Sequence, residues 1–401
     1  MLPRWFAYRR LVVARRRLSS GGGGDPLRIL SAHKGHARNN VPETVAAKVG
    51  RKLHLLPNHP LGIIKAEIEK YCAEYASRRG QVAFRVFDDE SPVVRPKQNF
   101  DTLLIPPDHV SRRPSDTYYI SDDLLLHTHT SAHQNELVAQ GVPAFLCTGD
   151  VYRRDEIDSS HYPVFHQMEG VRIFPASGPQ AKAQVEADLK ALLTGLALHL
   201  FGPETQTRWR DDYFPFTQPS FELDVFFEGD WLEVLGCGVV HDEVMQMAGK
   251  STDTHAGWAF GLGLERLAMV LFRIPDIRLF WSEDERFHSQ FSTGAAPDGW
   301  RKIKFSPYSK FPLCYKDVSF WLPQGGLHPN DVYEVIRGEA GDLVEQVRLF
   351  DQFHNKKTGR DSHAYRVSYR HMDRSLTNEE VDEVQWRVRD RLVAALGVAL
   401  R

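Results

Sequence analysis

The segment from Tyr213 to Gly238 alternates apolar and acidic side chains along much of its length. The apolar positions are Phe221, Leu223, Val225 and Phe227, and the acidic positions are Glu222, Asp224 and Glu228. Side chains of a β-strand point alternately to its two faces, so this pattern predicts strands with one buried and one polar face. Such strands form antiparallel sheets, whereas parallel strands are buried on both faces. Because helical segments precede and follow, we predict an α+β fold rather than a doubly wound parallel sheet.

Length and composition favour a globular protein of two domains. The chain has 401 residues, 42% of them hydrophobic and 25% charged, and single cores stop growing beyond about 250–300 residues. The net charge of -2 gives no overall attraction for nucleic acid, so such a contact must use local basic patches. No apolar run is long enough to span a bilayer, so we expect no membrane partner. Four separated cysteines are expected as buried free thiols in a reducing compartment: Cys72, Cys147, Cys237 and Cys314.

The first residues have a composition of their own. Six arginines alternate with Leu, Val, Trp and Phe, and no acid occurs before Asp25. This composition is typical of an organelle transit peptide, and a disordered basic tail is the alternative. The run Gly21 to Gly24 is interpreted as a linker, because no Lys-Ser/Thr follows as in a phosphate loop. We predict a transit peptide and linker over 1–30, and therefore delivery to an organelle.

The segment from Gly149 to Gly170 combines an arginine pair, Arg153 and Arg154, with a strand. Alternation puts three side chains of unlike chemistry on one face: Phe165, Gln167 and Glu169. The other face receives Val164, His166 and Met168. An aromatic ring, an amide and a carboxylate beside arginines suit a surface that binds a base, an amine and a phosphate. The alternative is a solvated strand edge with surface arginines.

A strand-to-helix passage follows in GLGLERLAMVLF. Leucines at helical spacing predict a helix that begins near Leu264 and carries Arg266 in its first turn. A helix N-terminus and a guanidinium both favour a phosphate group there. Two further helices are predicted, one opened by Pro60 with Asn58 as its cap and one over 184–200.

The last hundred or so residues predict a second unit with the order β-α-β-β-α-β, the split βαβ sandwich. Its helices are expected near Asn330 to Arg337 and from Thr377 to Leu396, where Glu380 completes a capping box. A basic sheet face or loop is expected from Lys310, Lys316, Lys356, Lys357, Arg360, Arg366 and Arg370, with Phe305, Tyr308 and Phe311 as stacking surfaces. This pattern suits single-stranded RNA, but a charged solvated face explains it equally well.

These blocks in this order resemble the class II aminoacyl-tRNA synthetases, and among them the single-chain mitochondrial phenylalanyl-tRNA synthetases. The arginine-led segment resembles the second signature motif of that class and GLGLERLAM the third, while HTHTSAHQ, FPFTQPSFE and WLEVLGCG mark the phenylalanine branch. The resemblance runs from about His59 to the C-terminus and departs only in a short stretch between Phe174 and Gln184. It implies a catalytic domain over 40–290 with an antiparallel sheet, a linker over 291–305 and a ferredoxin-like anticodon-binding domain over 306–401.

The resemblance implies ATP-dependent activation of phenylalanine to an adenylate, followed by transfer to the 3′ end of tRNA(Phe) for organellar translation. It also implies a location in the mitochondrial matrix, with a plastid as the alternative. Arg153 is expected on the α-phosphate and Arg266 on the γ-phosphate, with adenine between Phe165 and Arg266. Glu233 is expected near ATP and its Mg²⁺ ions. The loop that closes over the nucleotide is expected to contribute Ser160, His161 and Tyr162.

The resemblance also implies a phenylalanine pocket. Its polar end is expected from Ser131, His133, Gln134, Gln167 and Glu169, with Glu169 opposite the substrate ammonium. The predicted substrate-binding residues also include Ala132 and Met168. Phe214 and Phe216 are expected to meet the substrate ring, Phe260 to complete the wall, and Ala259 to limit depth at the para position of that ring.

Other functions compete with this one. His127, His129 and His133 suggest a zinc site, although no cysteine or histidine motif completes it. A tRNA-binding protein without catalysis, or a class II synthetase for another amino acid, would share the fold. The expected partners are ATP, L-phenylalanine and tRNA(Phe), and a fused anticodon domain predicts a monomer.

Overall fold

A computed structural model describes residues 25–176, 180–292, 299–307 and 311–401. The transit-peptide prediction for residues 1–24 lies outside the described residues. The short stretch before Gln184 is described in part, since residues 177–179 are also outside. No helix of the described ranges is long and apolar enough to cross a membrane.

The first and larger unit is built on a seven-stranded sheet with the strand order β1-β4-β5-β9-β8-β7-β6. All neighbours are antiparallel except β1 and β4, as the alternation predicts. Its strands are β1 (Arg85–Phe87), β4 (Ala144–Tyr152), β5 (Val164–Pro175), β6 (Thr207–Asp212), β7 (Thr217–Phe227), β8 (Asp230–Val240) and β9 (His255–Gly263). A small separate ribbon pairs β2 (Val93–Val94) with β3 (Leu125–Leu126).

The alternating segment forms the hairpin of β7 and β8. Its two-residue turn, Glu228–Gly229, has positive φ at both positions. Two left-handed residues are what a type I′ turn requires, and that turn matches the twist of paired strands. Phe227 is consequently paired with Asp230.

Helices cover one face of this sheet. The described helices are α1 (Pro26–Ala32), α2 (Glu43–Ala46), α3 (Pro60–Arg78), α4 (Pro96–Asn99), α5 (Gln134–Ala139), α6 (Ala181–Phe201), α7 (Asp242–Met247), α8 (Leu264–Phe272), α9 (Glu285–His288), α10 (Pro329–Ala340) and α11 (Asn378–Leu396). Helices α3, α6 and α8 share the largest core with β5, β7, β8 and β9. Helix α3 begins at Pro60 as predicted, but its cap is His59, whose ring nitrogen accepts from the Leu61 N–H, and not Asn58.

The second unit has the predicted β-α-β-β-α-β order. It consists of β10 (Cys314–Trp321), α10, β11 (Val344–Asn355), β12 (Arg360–Tyr369), α11 and β13 (Ala399–Leu400). The sheet order is β11-β12-β10-β13, antiparallel throughout. Thr377 caps α11 and Glu380 completes the capping box, as predicted. The α+β fold with a split βαβ second unit is confirmed.

The segments at the predicted domain ends are packed rather than loose. Leu30 in α1 is buried in a core cluster although 1–30 was predicted as leader and linker. In the predicted linker 291–305, Trp300, Ile303 and Phe305 are buried in the main core. The prediction that Phe305 forms a stacking surface is therefore wrong; Tyr308 and Lys310 lie outside the described residues. Of the cysteines, Cys314 is partly exposed and the other three are buried.

The two units meet along the segment that carries the arginine pair. Arg154 ion-pairs with Asp331 and Glu334 of α10 at 3.2 and 3.5 Å. Arg337 donates to the carbonyl oxygen of Asp155 at 2.8 Å. Ile157 is buried in the core of the second unit.

Candidate active site

The face of the main sheet opposite the helices carries the residues singled out in the sequence. Phe165 and Gln167 on β5 are half-buried and Glu169 is buried, while the side chains between them pack into the core. Gln167 is paired with Gly263 and Glu169 with Gly261 on β9. A Cβ atom at either glycine would meet no atom within 4 Å. These glycines therefore leave open space above the polar side chains of β5.

Glu169 is the least compensated charge on this face. Its side chain is 1% exposed, and neither carboxylate oxygen has a hydrogen-bond partner. Burial raises the pKa of Glu169 to about 8; the nearby Ser131 hydroxyl acts in the opposite direction but does not reach hydrogen-bonding geometry. A buried carboxylate without a partner is costly. It identifies a position that a cationic ligand would stabilise.

Other polar groups surround this carboxylate on the segment from Thr130 to Ala139. A 3₁₀ turn over Thr130–His133 leads directly into α5. Gln134 Oε1 and His133 Nε2 are buried without a hydrogen-bond partner. Burial lowers the pKa of His133 to about 3, so its ring is neutral and can donate or accept. The Ala132 side chain, by contrast, is buried in a small apolar cluster against which Phe216 packs.

The histidine group considered as a zinc site is held by backbone groups and by other rings. The His127 ring nitrogen Nε2 lies 2.5 Å from the Asp150 carbonyl oxygen, and its ring is perpendicular to that of His133 at 5.4 Å. Burial, with Arg153 next, lowers the pKa of His129 to about 3. Within the described ranges, the side chains close enough to share a metal ion are not these histidines. They lie on an exposed loop, where the possible ligand atoms of three residues are within 4.8 Å of one another: Glu156, Asp158 and His161.

An aromatic pair adjoins the polar group. The rings of Phe214 and Phe216 are stacked with centroids 5.9 Å apart and planes inclined by 16°. Gly236 makes this possible, since a Cβ there would lie 2.8 Å from Phe214 Cζ. Phe216 also packs against the apolar cluster that contains Ala259 and Val171. The structure thus brings the predicted aromatic pair and Ala259 to the same side of the sheet.

Two of the predicted pocket residues point elsewhere. Phe260 and Met168 are buried in the main core on the helix side of the sheet. Both follow from strand alternation, because their neighbours Ala259 and Glu169 face the site. The expectations that the Phe260 ring completes the pocket wall and that the Met168 side chain contacts the substrate are therefore corrected. Gly170 gives the Phe260 ring its room, since a Cβ there would lie 2.2 Å from the ring.

The two arginines bound the other part of the face. Arg153 Nε donates to the Thr128 carbonyl oxygen at 2.8 Å, and its Cζ lies 5.2 Å from the Phe165 ring centroid. Burial lowers the pKa of Arg153, and Asp155 opposes this effect. Arg266 lies in the first turn of α8, as predicted, with its Nη1 atom 3.5 Å from Glu233 Oε1.

Family models match both units of the chain. The model of the tRNA synthetases class II core domain (F) matches residues 54–291. The model of the ferredoxin-fold anticodon binding domain matches residues 309–401. The first match alone covers more than half of the chain. The chain belongs to the class II tRNA synthetase family.

Individual relatives refine this placement. The phenylalanine–tRNA ligase, chloroplastic/mitochondrial, of Arabidopsis thaliana is 53% identical over 368 residues, covering 90% of this chain and 83% of that protein. The mitochondrial phenylalanine–tRNA ligase of Mus musculus is 48% identical over 388 residues, covering 90% and 85%. The phenylalanine–tRNA ligase alpha subunit of Caldicellulosiruptor bescii is 42% identical over 207 residues, covering 48% and 59%. The resemblance inferred from the sequence blocks is confirmed.

In this class II synthetase the acidic side chain of Glu222 lies near Glu233 and is absent from the residues predicted for the site. Its Oε2 atom lies 2.5 Å from Arg210 Nη2. Burial, then Glu233 and Asp212, raise the pKa of Glu222. Glu222 was interpreted only as a polar strand position. The signal that could have found it is the pairing of β7 with β8, which brings its carboxylate near that of Glu233.

The loop of the arginine-led motif is organised by Asp158. Its carboxylate accepts from the backbone N–H groups of Ser160 and His161 at 2.7 Å and from the Ser160 hydroxyl at 2.9 Å. Burial by itself would raise the pKa of Asp158. The hydrogen bonds, of which the one from the His161 ring has the largest effect, outweigh burial and hold this pKa well below its usual range. Tyr162 is turned toward the second unit, where its hydroxyl donates to Asp342. Its predicted contact with a nucleotide would require release of that bond.

Proposed function

We propose that the chain is a mitochondrial phenylalanine–tRNA ligase that activates L-phenylalanine with ATP and transfers it to the 3′ end of tRNA(Phe). The observation that carries the proposal is the buried, unpartnered carboxylate of Glu169 on the same face as a stacked phenylalanine pair. An α-amino acid with a benzyl side chain supplies both an ammonium and an aromatic ring. The relatives named phenylalanine–tRNA ligase support the same substrate.

In the first step a carboxylate oxygen of phenylalanine attacks the α-phosphorus of ATP, and the bond to the β-phosphate breaks to release pyrophosphate. The two reacting groups are both anionic and repel each other. The protein therefore contributes orientation and neutralisation of charge rather than proton transfer. Arg153 binds the α-phosphate, and Arg266 binds the γ-phosphate from the positive end of α8. Adenine stacks on Phe165, which Arg153 covers in the ligand-free chain. The base then takes the position over the ring, and Arg153 moves toward the phosphates.

The acidic pair on β7 and β8 fits a magnesium ion that arrives with ATP. Burial, and after it the nearby carboxylate of Glu233, raises the pKa of Glu222, although Arg210 pairs with Glu222 at 2.5 Å. A hard divalent cation with oxygen ligands relieves the repulsion between the two carboxylates. When bound, Mg²⁺ would neutralise phosphate charge, with Glu222 and Glu233 as its protein ligands.

The choice of amino acid rests on the depth of the aromatic pocket. Edge-on contact with Phe214 and Phe216 contributes about 0.5–1.5 kcal/mol per ring beyond burial. Tyrosine is the main competing substrate, because an apolar pocket discriminates against an added hydroxyl by only about a hundredfold in kcat/KM. Ala259 lies in the cluster behind Phe216, and we assign it the steric rejection of that hydroxyl.

The second step requires tRNA, for which the open face of the second sheet offers a stacking surface. Trp321 and Phe353 are in edge contact at 6.2 Å. Arg360 lies 5.2 Å from the Trp321 ring, and Arg401 lies 4.8 Å from the Phe353 ring. Aromatic rings with stacked guanidinium groups suit unstacked RNA bases and their phosphates.

Much of the predicted basic surface is neutralised. Lys316 pairs with Asp382 at 2.5 Å, Arg366 with Asp317 at 2.8 Å and Arg370 with Glu345 at 3.2 Å. Exposed pairs of this kind leave little net positive potential. The cationic side chains that remain for RNA are those of the β11–β12 hairpin, which include Lys356 and Lys357.

A monomer suffices for both steps, because the anticodon-binding unit is part of the same chain. Sedimentation at micromolar concentration should give the mass of one chain. A stable dimer would contradict this part of the proposal.

ATP–pyrophosphate exchange with each of the twenty amino acids tests the function. Phenylalanine should support exchange, and tyrosine should do so far less. Exchange with another amino acid would indicate a different class II synthetase. Absence of exchange, with tRNA binding retained, would indicate a tRNA-binding protein without catalysis.

Two arginines on one helix provide a matched pair of variants. Arg266 and Arg273 lie at opposite ends of α8, are more than half exposed, and each pairs with one glutamate. Arg266→Gln should reduce exchange by about a hundredfold or more, because a charged contact to phosphate is lost. Arg273→Gln should leave exchange within about twofold of the parent protein.

A further inference from the structure

A buried pair connects the two side chains assigned to the faces of adenine. Glu265 Oε2 accepts from the backbone N–H of His166 at 2.8 Å, and Glu265 Oε1 lies 2.7 Å from His166 Nδ1. The His166 side chain is fully buried and that of Glu265 is 3% exposed. In sequence, His166 follows Phe165, and Glu265 precedes Arg266.

The Glu265 carboxylate takes the place of a strand-to-strand hydrogen bond that β9 does not provide to β5. Pairing of β5 with β9 ends at Gln167 and Gly263, because the chain turns into α8 at Leu264. The next backbone N–H on that edge of β5 belongs to His166. The Glu265 side chain accepts it in place of a strand carbonyl. The helix can therefore begin directly above the strand without leaving a buried N–H unpaired.

The imidazole also packs against two other rings, while its Nε2 atom has no hydrogen-bond partner. Its centroid lies 5.3 Å from that of His54 and 5.9 Å from that of Trp281. Across the sheet His166 is paired with Asp150, whose carboxylate accepts from the Tyr152 hydroxyl. Although burial opposes it, His166 and then this hydroxyl lower the pKa of Asp150. A ring flip would move Nδ1 away from Glu265, so the two-point contact has one arrangement.

We propose that Glu265 and His166 are positioning residues that hold Phe165 and Arg266 at a fixed separation across the adenine position. The inference rests on the proposed function, since it assigns a task to side chains that do not touch ATP. Two hydrogen bonds between β5 and the first turn of α8 set how far the strand and helix can move apart. A slot one aromatic ring wide tolerates little such movement.

Variants at both members of the pair test this. His166→Leu removes the ring's hydrogen bond, and Glu265→Gln weakens the contact, because an amide has one oxygen to accept where the carboxylate uses two. His166→Asn retains it, because an amide nitrogen takes the position of Nδ1. Asp188→Asn is the control. Like Glu265, Asp188 is a buried carboxylate, but it accepts from Tyr75, Gln81 and Trp258, away from the nucleotide.

Steady-state ATP–pyrophosphate exchange separates positioning from a merely structural role. For His166→Leu and Glu265→Gln we expect the KM for ATP to rise about tenfold, while the KM for phenylalanine stays within about twofold. His166→Asn should stay within about threefold for both substrates. Asp188→Asn should lower the melting temperature without a selective change for ATP. Assays are run well below the lowest melting temperature.

The proposal is wrong if both Michaelis constants rise together, if neither changes, or if His166→Asn behaves like His166→Leu. Should Glu265→Gln fail to fold, the comparison of the two His166 variants decides alone. Failure of the parent protein to exchange pyrophosphate would instead refute the proposed function. Inhibition by AMP gives an independent reading, because its inhibition constant should rise in parallel with the KM for ATP.

Discussion

Replacing Glu169 by glutamine should make the ligand-free protein more stable while lowering its activity. Folding raises the pKa of this carboxyl from its ordinary value of 4.5 to about 8. Between those pH values the native protein holds a proton that the unfolded chain has released. Stability therefore falls as pH rises through this interval, by about 1.4 kcal/mol per unit, and the total approaches about 5 kcal/mol at pH 8.

Glutamine is neutral at every pH and carries no such cost. Urea denaturation of both proteins without ligand should show a gain for Glu169→Gln of less than about 1 kcal/mol at pH 5 and of about 3 kcal/mol at pH 7. The gain should reach its limit above pH 8. A difference that stays constant with pH, or a loss of stability at pH 8, would refute the assignment of Glu169 as a buried, unpaired carboxyl.

The same substitution should lower kcat/KM for phenylalanine by about a hundredfold, because the substrate ammonium loses its counter-charge. Glu265→Gln is the control for the stability measurement. Its carboxylate accepts two hydrogen bonds from His166, so this variant should be less stable than the parent. If Glu169→Gln raises the free energy of unfolding and Glu265→Gln lowers it, the two measurements distinguish a ligand-binding carboxyl from a structural one.

Three further outcomes are expected. Binding of phenylalanine at pH 7 should release nearly one proton, because the ammonium favours ionised Glu169; calorimetry in buffers of different ionisation enthalpy measures this, and zero release would contradict it. Ala259→Gly should raise kcat/KM for tyrosine about tenfold in pyrophosphate exchange with little change for phenylalanine, and unchanged discrimination would remove Ala259 as the barrier. Trp321→Ala should reduce tRNA charging about tenfold but leave pyrophosphate exchange unaltered, whereas loss of both would mean that the substitution disturbs the fold.

The sequence predicts the parts of this protein that follow from local periodicity. The alternation along β5 and β7, the first turn of α8 and the capping box at Thr377 depend on neighbours in the chain, and the structure has each of them. The same rule, applied consistently, would have excluded Met168 and Phe260 from the pocket. They were included because they stand within motifs of the family, and a motif does not distinguish the two faces of a strand.

What the sequence does not predict depends on contacts between distant segments. Glu222 joins Glu233 only through strand pairing, and Glu265 reaches His166 across 99 positions. A glycine is needed at position 236 because the Phe214 ring lies directly on it. The ion pairs that neutralise Lys316 and Arg366 are likewise formed between different elements. Lysine and arginine counts alone therefore overestimate the positive surface of the second unit.

The position of Ile157 has a practical consequence for anyone who wishes to study the second unit alone. Its side chain belongs to the catalytic part of the chain but fills the interior of its neighbour, and its carbonyl oxygen accepts from the Val347 N–H. A fragment that starts at the domain border would contain a cavity about the size of one isoleucine side chain. The backbone N–H of Val347 on β11 would also lose its hydrogen-bond acceptor. Expression of this fragment would call for a larger apolar side chain to occupy that space, and weak folding of the unmodified fragment would say nothing about its affinity for RNA.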